Sequence, residues 1–390
     1  LSQPHSAPPN RVLLALMPAA LVALLLLDLA SVQPNRIVPG QGMSLWAIMG
    51  PASLLLVLLP LGVGGLAWRA SSERLLWALG LTLLAMLGMP WALAGFCHVF
   101  IDPDAPYARA GLAAGFWVVL FVFMLALIEL KGRLRLPPGS WWVLGGLMLG
   151  SWALALASGV LDKLSLMQEY LGRSDKFIDA LAYHSLLVAS AVGVSLMLGF
   201  CLALAMRRWS RLERGINGVL SLIQTIPSLA LFGLLLAPLA WLADRFDWLA
   251  AIGVQGIGAA PALIALVGYS LLPMTRNTFV ALADVDPGVI ESARGMGMSP
   301  RQVFLQVRLP LALPVLIEGV RITSVQAIGL AAVAALIGAG GLGTFVFQGL
   351  GQAAMDLVLL GALPIIVMAV VVDGLLTALA GALRQGARDD

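Results

Sequence analysis

Long apolar runs alternate with short polar connections along almost the whole chain. Ten runs, near 11–29, 44–67, 75–96, 110–128, 141–160, 183–206, 217–241, 258–282, 313–337 and 356–381, stand out from the connections between them. Each is close to the roughly 20 residues that a helix needs to cross a hydrocarbon core about 30 Å thick, so each is predicted to span a membrane. Every second connection is basic. One side carries Arg69 and Arg74, then Lys131, Arg133 and Arg135, then Arg207, Arg208, Arg211 and Arg214, then Arg294, Arg301 and Arg308, and finally Arg384 and Arg388. The other side has Arg36, then Asp102, Asp104 and Arg109, a mixed stretch from Asp162 to Asp179, then Asp244, Arg245 and Asp247, and the glycine-rich GAGGLGTFVFQGLGQ. Basic residues mark cytoplasmic loops, so the alternation predicts an all-α polytopic membrane protein of about ten transmembrane helices with both termini cytoplasmic.

Composition agrees. Of the 390 residues 60% are hydrophobic and 11% charged, against the ~25% charged residues of a soluble domain. The net charge of +3 is spread over loop clusters and forms no basic face, so nucleic acid is not an expected partner. Cys97 and Cys201 imply no disulfide framework, and His5, His98 and His184 are too scattered for a metal site. The apolar run that follows LSQPHSAPPNR reads as an uncleaved signal anchor, because the cleavage pattern after it is poor.

The chain divides into residues 1–160 with five spans, a polar linker at 161–182 on the non-cytoplasmic side, and residues 183–390 with five more spans. Unusual polar sequence is confined to the second part. Its cytoplasmic connection, residues 284–312, is predicted to be two short helices around a hinge. Asp286-Pro287 starts the first helix, Gly295-Met296-Gly297 breaks it, and Ser299-Pro300-Arg301-Gln302 starts the second with a capping box that runs to Leu309-Pro310. Val289, Ile290, Ala293, Val303, Phe304 and Val307 make the loop greasier than a solvated connection needs. They pack either on the chain's own helix ends or on a cytoplasmic partner, with Ser292 and Ala293 permitting close approach and Glu291 open to a donor.

Glu291-Ser292-Ala293, then Gly297, then Val307-Arg308-Leu309-Pro310, resembles the EAA loop of ABC importer permeases, with Ser for the first Ala and Val for Ile as departures. LSLIQTIPSLALFGLL at 220–235, LLPMTRNT at 271–278 and AALIGAGGLGTFVFQGL at 334–350 resemble the osmoprotectant branch, importers of glycine betaine, choline and related quaternary amines. The resemblance covers about residues 180–390, and five leading spans are similar to a longer subtype of that branch. It implies a type I ABC importer permease core in the second half, with the 284–312 loop as the coupling element. The implied partners are a cytoplasmic ABC ATPase dimer that binds ATP and Mg, a periplasmic or lipid-anchored binding protein, a second permease subunit (self or a shorter homologue) and the lipid of a bacterial inner membrane. The implied linker at 161–182 is then periplasmic.

Other polar features carry less specific expectations. Gln224, Thr225 and Ser228 around Pro227 interrupt an apolar span and mark a candidate pathway wall, since such a break is tolerated only against protein or water. Gly338, Gly340, Gly341 and Gly343 end the ninth span; three of them match a dinucleotide motif, but no strand precedes them, and a sharp turn near the pathway fits better. Glu318 and Arg321, three apart, form a candidate ion pair, and Asp373 needs a partner or an interface. No phosphate-binding Gly-x-x-x-x-Gly-Lys-Ser/Thr sequence and no nucleophile with a base occur, so the chain is expected to be no enzyme and to bind no cofactor. A secondary transporter, or an ABC permease for another substrate such as an amino acid, are the alternatives; the first would need polar features in both halves.

Overall fold

A computed structural model describes residues 8–36, 38, 40–102, 104–105, 107–137 and 139–389. His5 and the first seven residues lie outside it. The chain forms two compact units, residues 1–172 and 173–390.

In the first unit α1 (Arg11–Leu26) is capped by Asn10, whose side chain accepts from the Leu13 amide. After α1 the chain enters strand β1 (Asp28–Gln33), β2 (Gln41–Ser44) and the short α2 (Leu45–Met49). A turn at Gly50–Ala52 leads to α3 (Ser53–Ala67), then α4 (Ser72–Phe100), β3 (Arg109–Leu112), α5 (Ala114–Leu134), α6 (Ser140–Ala157) and α7 (Ser165–Leu171). α1 packs on α3 and α5, and α4 packs on α3, α5 and α6. Three strands depart from the all-helical expectation. β1 is central and antiparallel to both β2 and β3, with Ala30 opposite Met43 and Leu112. The connections holding Arg36 and Arg109 were expected to be plain polar loops; instead their guanidinium groups lie 2.8 and 3.1 Å from the same buried carboxylate, Glu169 of α7.

The second unit begins with α8 (Ser174–Arg208), followed by α9 (Ser210–Thr225), α10 (Ser228–Arg245), α11 (Asp247–Ala251) and α12 (Ala259–Ala283). Then come α13 (Pro287–Gly295), α14 (Pro300–Gln302), α15 (Leu309–Val333), α16 (Gly343–Gly351) and α17 (Met355–Asp389). The expected linker at 161–182 is therefore not irregular: it contains α7 and the first turns of α8. Its charged residues mislead hydropathy because they sit on a helix that continues beyond the apolar run. α12 is the hub, packed against α8, α9, α10 and α15. On α8 Ala191, Ser195, Gly199 and Ala203 are buried at four-residue spacing, a small-residue seam that brings helices close. A Cβ at Gly199 would lie 2.9 Å from Met274 of α12, so the seam leaves no room there.

Nine helical stretches among the described residues are long and apolar enough to cross a membrane, and α1 is a shorter tenth. α1 has 16 residues, about 24 Å at the helical rise of about 1.5 Å per residue. The run at 11–29 exceeds the helix because Leu27 and Leu29 continue the apolar pattern into the C-cap and β1. The run at 217–241 also differs: it is two helices, α9 and α10, parted at Ile226-Pro227.

Candidate functional site

The 284–312 segment is built as its caps dictate. Asp286 accepts from the Gly288 amide at 2.8 Å and starts α13. Met298 donates to the Ala293 carbonyl at 3.2 Å, closing the turn around Gly297, whose φ is +85°. Ser299 and Gln302 then form a reciprocal capping box. The second helix was expected to stop at Leu309-Pro310. It continues instead through a wider π-type turn at Val303–Arg308 into α15. The Leu309 amide donates to Phe304, five residues back, and this wider register accommodates Pro310, which has no amide to offer and whose ring would crowd a regular turn.

The greasy residues of the loop divide between two faces. Ile290, Ala293 and Val303 are buried with Leu282, Val285 and Leu316 in one apolar cluster, and Phe304, Val307 and Leu309 pack against it. Of the two alternatives for Ala293, packing on the chain's own helices is the one seen: it is a core residue of the loop, 2% exposed. Glu291, Ser292, Gly297 and Pro310 are exposed, as is Met296 at 77%. Ser292 donates to the Gly288 carbonyl at 2.8 Å. The inner face fixes the loop to α12 and α15, and the outer face is a short ridge of Val289, Ser292 and Met296 beside an acid.

At the other end of α15 the chain turns through Gly338, Gly340 and Gly341, all with φ between +76° and +80°. Gly343 has a different reason to be glycine. A Cβ there would lie 2.0 Å from the Ala332 carbonyl oxygen, so α16 starts in backbone contact with α15. His184 of α8 is fully buried beside this turn. Its Nε2 lies 3.1 Å from the Ile328 carbonyl, so Nε2 carries the proton and donates. Beside the turn is a cavity of about 270 Å³ lined by Arg173, Lys176, Gly341, Thr344, Phe345 and Gln348. The sequence reading missed its two cations; their spacing of three residues ahead of an apolar run was the available signal.

The polar break between α9 and α10 is tied to α12. Gln224 donates to the Tyr269 carbonyl at 2.8 Å, and the Tyr269 hydroxyl donates to the carbonyl of Ile226, the residue before Pro227. Thr225 donates back to Leu222 at 2.7 Å. Pro227 supplies its own carbonyl to Leu231 and so starts α10, with Ser228 as its first residue. The groups that proline frees thus find partners within protein, and the break joins no other predicted site residue.

Glu318 and Arg321 pair at 2.8 Å, and the same guanidinium reaches Asp373 of α17 at 2.9 Å. Thr377 and Arg384 complete the group at 3.5 and 3.7 Å. Asp373, without a partner in the sequence reading, is one of the residues that tie α17 to α15. Loop, glycine turn, break and ion pairs remain four separate places joined by α12 and α15.

Residues 195–385 match the family described as the binding-protein-dependent transport system inner membrane component, and residues 10–167 match the N-terminal domain of the ABC transporter permease YehY. The osmoprotectant import permease protein OsmW of Salmonella typhimurium is 42% identical over 193 residues, which span 50% of this chain and 85% of that protein. The chain belongs to the ABC importer permease family. The carnitine transport permease protein OpuCB of Listeria monocytogenes is 37% identical, and the choline transport system permease protein OpuBB of Bacillus subtilis 33%; each match covers 49% of this chain and 80% of the relative. Among solved structures, an inward-facing MetNI methionine ABC transporter aligns with 54% of this chain and 95% of its own at 22% identity and a TM-score of 0.44. As an ABC importer permease the chain is a multi-pass membrane subunit whose ATPase is a separate polypeptide, and the family works with such an ATPase and with a substrate-binding protein.

Proposed function

We propose that this permease carries osmoprotectants of the quaternary-ammonium class, glycine betaine, choline or carnitine, across a bacterial inner membrane. The observation that carries this reading is the similarity of the second unit to permeases for osmoprotectants, carnitine and choline, at 33–42% identity over about half of this chain. The exposed ridge of residues 288–296 docks on a cytoplasmic ATPase that holds ATP and Mg. Its buried face transmits the movement to α12 and α15. Two permease subunits, identical or one of them shorter, enclose the pathway, with Gln224, Thr225, Pro227 and Ser228 and the glycine turn at 338–343 on its wall. A periplasmic or lipid-anchored binding protein delivers the substrate to the glycine-turn end, and both termini of the chain are cytoplasmic. Chemistry resides in the ATPase; this chain converts its closure into alternating access.

The test is uptake by proteoliposomes containing the permease, its ATPase and its binding protein. ATP-dependent accumulation of labelled betaine, choline or carnitine is the expected result. Accumulation of amino acids with no quaternary amine would move the chain to another substrate branch, and uptake driven by an ion gradient without ATP would overturn the mechanism.

A further inference from the structure

One cavity among the described residues is lined by none of the side chains proposed for the pathway. It lies inside the first unit, measures about 730 Å³, and is lined only by apolar side chains and glycines. Its back wall is α4, where Gly88, Ala92 and Gly95 present no bulk; added Cβ atoms at Gly88 and Gly95 would meet nothing within 4 Å. Leu24 of α1, Leu56 of α3 and Phe123 of α5 form other walls. The rim residues Leu55, Leu84 and Val99 are 66%, 61% and 70% exposed, so the space opens sideways between helices that cross the membrane.

We propose that this cavity holds an acyl chain of a bilayer phospholipid. Three observations choose that occupant. First, no polar side chain lines the space, so water finds few partners there, while a volume within the ~300–1,000 Å³ typical of ligand sites is too large to remain empty beside fluid hydrocarbon. Second, the space follows α4 from Leu84 to Val99, about 22 Å at about 1.5 Å per residue, which exceeds the ~15 Å depth of one leaflet, half of a ~30 Å core. Third, it runs along a spanning helix, the direction in which lipid chains lie. A soluble apolar ligand would have to enter through the same lipid-facing side.

The experiment uses the complete importer in nanodiscs whose phosphatidylethanolamine carries a photoreactive diazirine near the end of one acyl chain. Peptides covering residues 84–100 are compared with residues 147–154 of α6, an apolar exposed face that serves as the bulk-lipid reference. Labelling of 84–100 is expected to exceed the reference about fivefold, the ratio given by about 1 kcal/mol of preference. It should fall to the reference level in Ala92→Trp and in the milder Gly88→Leu, with thermal melting used to select a folded variant. Equal labelling of the two regions in the unaltered protein would overturn the proposal. So would labelling of 84–100 that persists in a folded filled variant, or disulfide-linked dimers of Val99→Cys with 84–100 unlabelled, which would make a second copy the occupant.

Discussion

Gly295 and Gly297 lie two residues apart in the loop proposed to dock on the ATPase, and both are open to added bulk, with nothing within 4 Å of a built Cβ. They differ in backbone alone. Gly297 has φ +85°, whereas Gly295 closes α13 with no positive φ. Alanine at 297 therefore meets no neighbour yet must hold a left-handed conformation, which costs about 1–2 kcal/mol. Valine, branched at Cβ, costs more. If the built loop is what the ATPase engages, that cost lowers its population relative to unwound forms by a factor of about 5–30. Gly295→Ala carries no such penalty and favours the helix by a fraction of ~1 kcal/mol. Betaine uptake and ATPase activity in proteoliposomes, normalised to permease content, should be unchanged in Gly295→Ala, reduced severalfold in Gly297→Ala and lowest in Gly297→Val. Wild-type uptake by Gly297→Val at normal abundance would refute the reasoning.

Gly343→Ala should fail for the opposite reason: its Cβ would stand 2.0 Å from the Ala332 carbonyl oxygen, and the forced separation of α16 from α15 costs about 1–3 kcal/mol or more, seen as a lower melting temperature as well as lost uptake. Arg321→Asp should weaken the hold of α17 on α15 by about 1 kcal/mol, since the pair is partly exposed, and the double change with Asp373→Arg should recover part of the melting temperature; no recovery would mean that the 2.9 Å contact is incidental. A chain beginning at Leu161 retains the whole second unit and is expected to co-purify with the ATPase; a correctly oriented core that never binds it would make the first unit part of the docking assembly.

Much of the fold is legible because a hydrocarbon solvent imposes one requirement on every span. The loop caps at Asp286 and Ser299 were readable for the same kind of reason, since each satisfies its helix start within a few residues. Features made by distant partners were not readable. Nothing near Asp373 in sequence announces Arg321, and Glu169 binds two arginines far away along the chain. The small sheet escaped notice because its strands are four to six residues long and all three overlap apolar runs that read as helix. Pro310 misled in the other direction, as proline usually marks an end and here the π-type turn absorbs it.

Cross-linking from Met296 tests the central claim most directly, because its side chain is the most exposed large apolar group of the loop. In a background with Cys97 and Cys201 replaced by alanine, Met296→Cys in the complete importer should form a short-linker product with an ATPase bearing cysteines around its permease-facing groove. The yield should change when ATP and Mg are added. A fully active importer in which Met296→Cys reacts freely with water-soluble maleimide and never links to the ATPase would contradict the account.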